Sequence, residues 1–238
     1  MSNISVERAL ILLRDVVGNE NGLSIREVSR KYGYNPATVQ KIVNALKAQG
    51  FIVQDGLTER YHLGPEAIQF GLAALSQLDV RRVARPYLKE LSHASGETTF
   101  LAILRGDCAV YVDKFVSEHP IRMDAPLGVD RTLNCTAVGK TLLAGLPEER
   151  IAELARDGAF VQMTGRSITD SARLKEEIEI VQKNGWARDD GEYSPGAGCV
   201  ASPVYDHEGK VIAAITVTGP SERIEDGLAD IINMVKSS

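Results

Sequence analysis

The chain has no apolar run near the roughly 18 residues that a membrane span requires, so no bilayer-spanning helix is expected. Met1 to Glu7 lacks both the basic flank and the apolar stretch of a secretory leader, which points to the cytoplasm. Cysteine is scarce. Cys108, Cys135 and Cys199 are odd in number, far apart and without a CxxC pair, which argues against a disulfide framework and a zinc knuckle. Histidine is as thinly spread: His62, His93, His119 and His207 show no paired ligand spacing, so neither a structural metal nor any other cofactor is expected. The single tryptophan, Trp186, reads as core near a sheet edge. There is no internal repeat and no low-complexity tract.

What is present is ordinary for a globular chain, with 44% hydrophobic and 25% charged residues over 238 positions, enough for two domains with cores of their own. The net charge of -5 is unevenly distributed. Residues 1–64 hold 8 Lys and Arg against 6 Asp and Glu, while the remainder hold 19 against 26. The slight positive surplus lies at the end where a DNA backbone would favour it, although a merely solvated surface produces the same split.

That end carries the most informative pattern. Val6, Ala9, Leu10, Leu13 and Val17 recur at helical spacing, so Ile4 to Val17 is expected to be a helix burying that face. Ser24 with Glu27 three residues on forms a capping box for a second helix, which turns Ile25, Val28 and Tyr32 inward and stops at Gly33. Asn35 followed by Pro36 starts a third, running to about Gln49, with Val39, Ile42, Val43 and Leu46 buried. Two short β-rich runs, Phe51 to Val53 and Tyr61 to Leu63, then flank an Asp55-Gly56 turn signal. This is the order of a winged helix-turn-helix. The outer face of the third helix presents Ala37, Lys41, Asn44 and Ala48, flanked by Thr38 and Gln40, small or hydrogen-bonding groups suited to a major groove. Any one of these is an ordinary solvated residue; the helix pair and wing around them make the face a recognition surface. Thr38, Gln40, Lys41 and Asn44 are expected to reach bases or phosphates, with Arg26 and a wing-borne, projecting Arg60 on the phosphates.

From Pro65 a helical pattern resumes through Ile68, Leu72, Leu75 and Leu78, and another follows from Val80 to about Ala94. Strands and helices then mix. Thr98 to Leu104 and Cys108 to Phe115 flank Gly106-Asp107, and Ile121 to Ala125 is expected to add a strand. Thr136 to Ala144, Pro147 to Ala155 and Ser171 to Lys183 read as helices, the last capped by Asp170 or Thr169. Cys199 to Tyr205 and Val211 to Thr218 form a strand pair, and a closing helix begins near Ser221. The expected class is α+β.

Ser5-Val6-Glu7-Arg8-Ala9-Leu10 leads into the helix-turn-helix, and Gly185, Asp189, Glu192, Cys199-Val200-Ala201 and Val204-Tyr205-Asp206 recur far downstream. In residue type and spacing these blocks resemble the IclR family of bacterial transcriptional regulators, over essentially the whole chain. Leu127-Gly128 and Cys135-Thr136-Ala137-Val138-Gly139-Lys140 agree as well. The resemblance implies a DNA-binding domain at 1–64, a linker helix at 65–79 and a GAF-like antiparallel-sheet effector domain at 80–238, in a homodimer or dimer of dimers. It also implies a small organic-acid or aromatic effector held by Asp189, Cys199, Thr216 and Thr218, with Leu127 and Gly128 on a loop lining the pocket. Members that bind small keto acids carry serines where this chain has Thr216 and Thr218, so two methyls are added here.

Taken alone, Asp189 next to Asp190 and before a glycine reads as a turn acid. Cys199 opens an apolar strand, and nothing in the sequence names a base that would make it a nucleophile. Thr216 and Thr218 lie two apart and so share one side of a strand, which plain β propensity also explains. The resulting expectation is an operator-binding regulator, a repressor rather than an activator, and not an enzyme. The rivals are a GAF-like enzyme using Cys199 and Asp189, and a winged helix that binds protein.

Overall fold

The computed structural model describes residues 4–238, which divide into two units between Gln77 and Leu78. The expected domain at 1–64 is thus described from Ile4; residues 1–3 lie outside the described residues.

The first unit runs α1 (Ile4–Val17), α2 (Ile25–Tyr32), α3 (Pro36–Ala48), β1 (Ile52–Gln54), β2 (Tyr61–Leu63) and α4 (Pro65–Ser76). The capping box forms: Ser24 Oγ accepts from the Glu27 amide, and the Ser24 amide donates to Glu27 Oε2 at 2.8 Å. Gly33 takes φ 67°, the left-handed conformation that reverses the chain between the two helices with no Cβ to clash. Asn35 Oδ1 then accepts from the Ala37 amide at 2.9 Å, and Pro36 occupies the first turn of α3. Val28, Val39, Val43, Ile52 and Tyr61 form the core, closed by α1.

The buried face of α1 differs from the expected one. Leu12 and Val16 point into the core and Leu13 packs against it, whereas Val6, Leu10 and Val17 are more than half exposed. Two apolar stripes run along this helix, and periodicity cannot choose between them; the position of α3 does. The wing also differs. Asp55-Gly56 is not a two-residue turn but the start of a loop over residues 55–60, in which Asp55 Oδ1 accepts from the Leu57 and Thr58 amides and from the Thr58 hydroxyl. Glu59, at φ 56°, supplies the left-handed residue in place of the glycine.

The second unit runs α5 (Asp79–Ser95), β3 (Thr98–Arg105), β4 (Cys108–Phe115), β5 (Asp130–Arg131), α6 (Ala137–Leu143), α7 (Glu148–Arg156), α8 (Ser171–Asn184), β6 (Ala187–Asp190), β7 (Ala197–Tyr205), β8 (Val211–Pro220), α9 (Ser221–Asp226) and α10 (Leu228–Ser237). Its strands make one antiparallel sheet in the order β5-β4-β3-β8-β7-β6. Alternation along β3 sorts the two faces. Phe100 and Ala102 join the core under α6 and α8, while the Thr99 hydroxyl donates to the Leu88 carbonyl of α5 on the opposite face. On that second face α5, α9 and α10 cover the sheet.

Four expectations need correction here. Ile121 to Ala125 is not a strand; the extra edge strand is Asp130–Arg131. Asp189 and Asp190 belong not to a turn but to the opposite edge strand, β6, too short and too charged to announce itself. The closing helix is two, α9 and α10, divided at Gly227. Trp186 lies at a sheet edge as expected, immediately before β6, but is half-buried and not core. Asp170 does cap α8, accepting from the Arg173 amide. No helix among the described residues is long and apolar enough to cross a membrane.

Candidate functional site

The outer face of α3 comes first in the chain. Because its apolar residues sit at helical spacing, burial of Val39 and Val43 forces Gln40, Lys41 and Asn44 outward, and all three are exposed. Thr38 is half-buried beside them, and Arg26 on α2 is exposed. Gln40 Nε2 donates to Asn44 Oδ1 at 3.0 Å, one helical turn away, so the two amides lie as a pair along the face. Ala37 and Ala48 are exposed and small, leaving the ends of this face open to close approach.

Arg60 does not project. Its Nε donates to the Asn21 carbonyl at 2.8 Å, and its Nη2 donates to the Gly22 carbonyl at 2.9 Å and to Glu27 at 2.8 Å. The guanidinium is folded back onto the start of α2, where it braces the wing. The Ser24 amide, then Arg60, hold the Glu27 carboxyl down to about 2, well below the ordinary carboxylate range.

The second site is a cavity of about 170 Å³ on the α6 face of the sheet. Strand register builds its floor. Asp189 on β6 pairs with Cys199 on β7, which pairs with Thr218 on β8; two residues along, Thr216 pairs with Ala201 and with Phe100 of β3. The side chains in those rows share a face because the pleat repeats every second residue. Asp189, Cys199, Thr216 and Thr218 therefore all line the same hollow. Met123 to Ala125, Arg131, the first turn of α6 and the 193–197 loop enclose the rest. Gly139 lets α6 lie against the segment before it, since a Cβ there would fall 2.4 Å from the Leu133 carbonyl oxygen.

Leu127 and Gly128 are not part of the lining. Both are exposed, and the Gly128 amide is spent on the Tyr111 carbonyl at 2.9 Å; the neighbouring Met123, Asp124 and Ala125 reach the cavity instead.

The chemistry of the hollow is uneven. Asp189 is 2% exposed, and burial raises its carboxyl to about 7, although the Glu192 amide at 2.7 Å and the Tyr193 amide donate to Oδ1 and pull the other way. Burial, reinforced by the nearby Asp189, pushes the Cys199 thiol up and keeps it protonated. Thr216 Oγ1 donates to the Val200 carbonyl at 2.8 Å, leaving it an acceptor toward the cavity. Thr218 Oγ1 is buried beside the Cys199 thiol, a weak hydrogen-bond partner.

Sequence reasoning missed three neighbours. Arg131 lies on a two-residue strand with no periodicity to read, Tyr193 in an irregular loop, and Lys140 inside a helix that gives no hint of burying a charge. Lys140 is fully buried, with its Nζ 2.7 Å from Glu192 and 3.3 Å from Glu177. It ties α6 to α8 and to the loop carrying Tyr193.

Residues 72–238 match the model of the bacterial transcriptional regulator IclR C-terminal domain, and residues 5–56 match that of the IclR helix-turn-helix domain. The chain belongs to the IclR family. Among curated relatives, this family member is 32% identical to the HTH-type transcriptional regulator BhcR of Paracoccus denitrificans, over 93% of its own length and 79% of that protein's. It is 30% identical to the transcriptional repressor AllR of Escherichia coli, over 93% and 82% of the two chains. The crystal structure of the Thermotoga maritima IclR superposes with a TM-score of 0.70 at 29% identity, covering 98% of this chain and 97% of that one. The molecule is thus an α+β, helix-turn-helix transcriptional regulator of the IclR family.

Proposed function

We propose that this IclR-family regulator is a repressor that docks α3 in the major groove of operator DNA and lets go, or takes hold, according to a small effector in the cavity of its second unit. Arg26, Thr38, Gln40, Lys41 and Asn44 supply the DNA contacts. Asp189, Cys199, Thr216 and Thr218 supply the effector contacts. The convergence of those four residues, far apart in sequence, on one hollow carries the sensor half of this reading. The partners are double-stranded DNA and one small molecule, in a homodimer or dimer of dimers acting in the cytoplasm, with two recognition helices set for two half-sites. Effector binding shifts the population between arrangements that fit and do not fit those half-sites, and a coupling of about 1–3 kcal/mol gives a 5 to 150-fold change. α4 is the connection through which the change passes.

The protein performs no catalysis in this reading. A thiol nucleophile needs a lowered pKa, and Cys199 is shifted the opposite way with no histidine on the cavity wall. Among the described residues no group of His, Cys, Asp or Glu is placed to hold a metal.

The test is operator binding by Lys41→Ala/Asn44→Ala. The double variant is expected to lose at least tenfold in operator affinity while effector-induced thermal stabilisation is unchanged. Equal operator affinity in variant and wild type would remove this face from the DNA contacts.

A further inference from the structure

The cavity contains a cation that none of the four converging residues provides. Arg131 sits on β5, and because neighbours along a strand point to opposite sides, Asp130 faces out to pair with Arg105 while Arg131 faces in. The guanidinium is held by two tyrosines. Nη1 donates to the Tyr193 hydroxyl at 2.7 Å, and the group lies 5.6 Å from the Tyr111 ring centre and 5.4 Å from that of Tyr193. No carboxylate pairs with it among the salt bridges of the described residues, and its Nε is buried without a hydrogen-bond partner. A buried cation-bearing donor left open is costly unless something satisfies it. Thr218, 8% exposed, lines the same cavity with only the weakly bonding Cys199 thiol beside its hydroxyl.

We propose that Arg131 is the anion anchor of this site, and that the effector is a small monocarboxylate whose acid group lies on the Arg131 guanidinium and whose body is apolar and flat. This rests on the cavity being the effector site. The charge count favours one negative charge over two: Arg131 is the only cation in the lining, Asp124 there is already paired with Lys114, and Asp189 adds a second carboxyl. Phe100, stacked on Tyr111 at 4.2 Å, together with Met123, Ala125, Ala137 and Val138 offers an apolar body contact, while Thr136 and Ser194 add hydroxyls at the edge of it. At about 170 Å³ the hollow is small for a ligand pocket, so the body is small. Held by two rings and a hydroxyl, the guanidinium is oriented before the ligand arrives, which lowers the cost of binding. Thr218 is placed to donate to the acid or to a neighbouring oxygen.

The experiment is calorimetric titration of the full chain with acetate, pyruvate and benzoate, each against its neutral amide, in wild type, Arg131→Lys, Arg131→Gln and Ala137→Leu. At least one acid is expected to bind wild type ten times more tightly than its amide, a preference that Arg131→Lys reduces and Arg131→Gln abolishes while amide binding persists. Persistence of amide binding shows that the Arg131→Gln cavity is intact. Ala137→Leu, which fills the hollow, is expected to remove acid and amide binding together. If wild type shows no preference for any acid, or if Arg131→Gln keeps the preference, the anchor is wrong and the cavity reading stands on the Ala137→Leu result alone. If Ala137→Leu binds the acid as wild type does, the ligand is held elsewhere and both fall.

Discussion

Asp189 is the residue whose environment departs most usefully from the ordinary. Its carboxyl is raised from 3.8 to about 7 chiefly by burial, with Glu192 adding to the rise, and Lys140 and two backbone amides opposing it. The unfolded chain gives up this proton near pH 4, whereas the folded chain keeps it to about pH 7. The folded state therefore binds more protons across that interval, and stability falls as the pH climbs through it. Asp189→Asn removes the penalty and keeps an acceptor for the Glu192 amide. We expect its melting temperature to exceed that of wild type at pH 8 by about 2–8 °C, the shift that about 1–2 kcal/mol produces in a chain of this size, and to match it at pH 4. Thermal denaturation at the two pH values checks this; an equal gain at both would assign the effect to something other than the proton. None of this was legible in the sequence, where an Asp-Asp-Gly run reads as a turn. Whether an acid is buried depends on an edge strand whose pairing with Cys199 is set by tertiary register.

At the scale of elements, the helix-turn-helix was legible because every local device agreed: the capping box, the left-handed Gly33, the Asn-Pro start and the inward stripe of α3. The wing was legible in its strands and not in its turn, because Asp55 organises the loop through its side chain and a glutamate takes the strained position. Arg60 follows from that geometry. Its bonds to two carbonyls and to Glu27 make it a brace, so Arg60→Ala is expected to destabilise the first unit by about 1–3 kcal/mol, seen as an earlier melting transition. Operator affinity is expected to fall without any change in the slope of log K against log salt, since no phosphate contact is lost. A slope shallower by about 0.9 would instead place Arg60 on a phosphate.

At the scale of the whole molecule, the proposed function is the coupling of an exposed helix face to the hollow of the second unit. Thr218→Val tests that coupling with little structural cost, because the hydroxyl it removes is buried beside only the weakly bonding Cys199 thiol while the shape is kept. The variant is expected to melt at or above the wild-type temperature and to bind operator equally without effector. The effector-induced change in operator affinity, 5 to 150-fold by the coupling argued above, is expected to shrink toward unity. Operator titrations with and without whichever acid binds wild type in the calorimetric titration measure it; a full response in the variant would take Thr218 out of the site. Thr216→Val is a poorer probe, since it also strands the Val200 carbonyl.

Local information in the sequence, read outward from caps, turns and period, was enough to determine the helices and strands of the winged helix-turn-helix, the exposed stripe of α3 and the α+β class, because each element is written within a dozen or so neighbouring residues. The resemblance of the downstream block pointed to Asp189, Cys199, Thr216 and Thr218. Only the tertiary structure decided that these line one hollow, that Leu127 and Gly128 do not, that Arg60 turns inward, and that Arg131 and Tyr193 complete the wall. The reason is physical. Strand order and register bring residues scattered from 100 to 218 into adjacent rows of one sheet, and no local pattern encodes which edge strand will lie beside which.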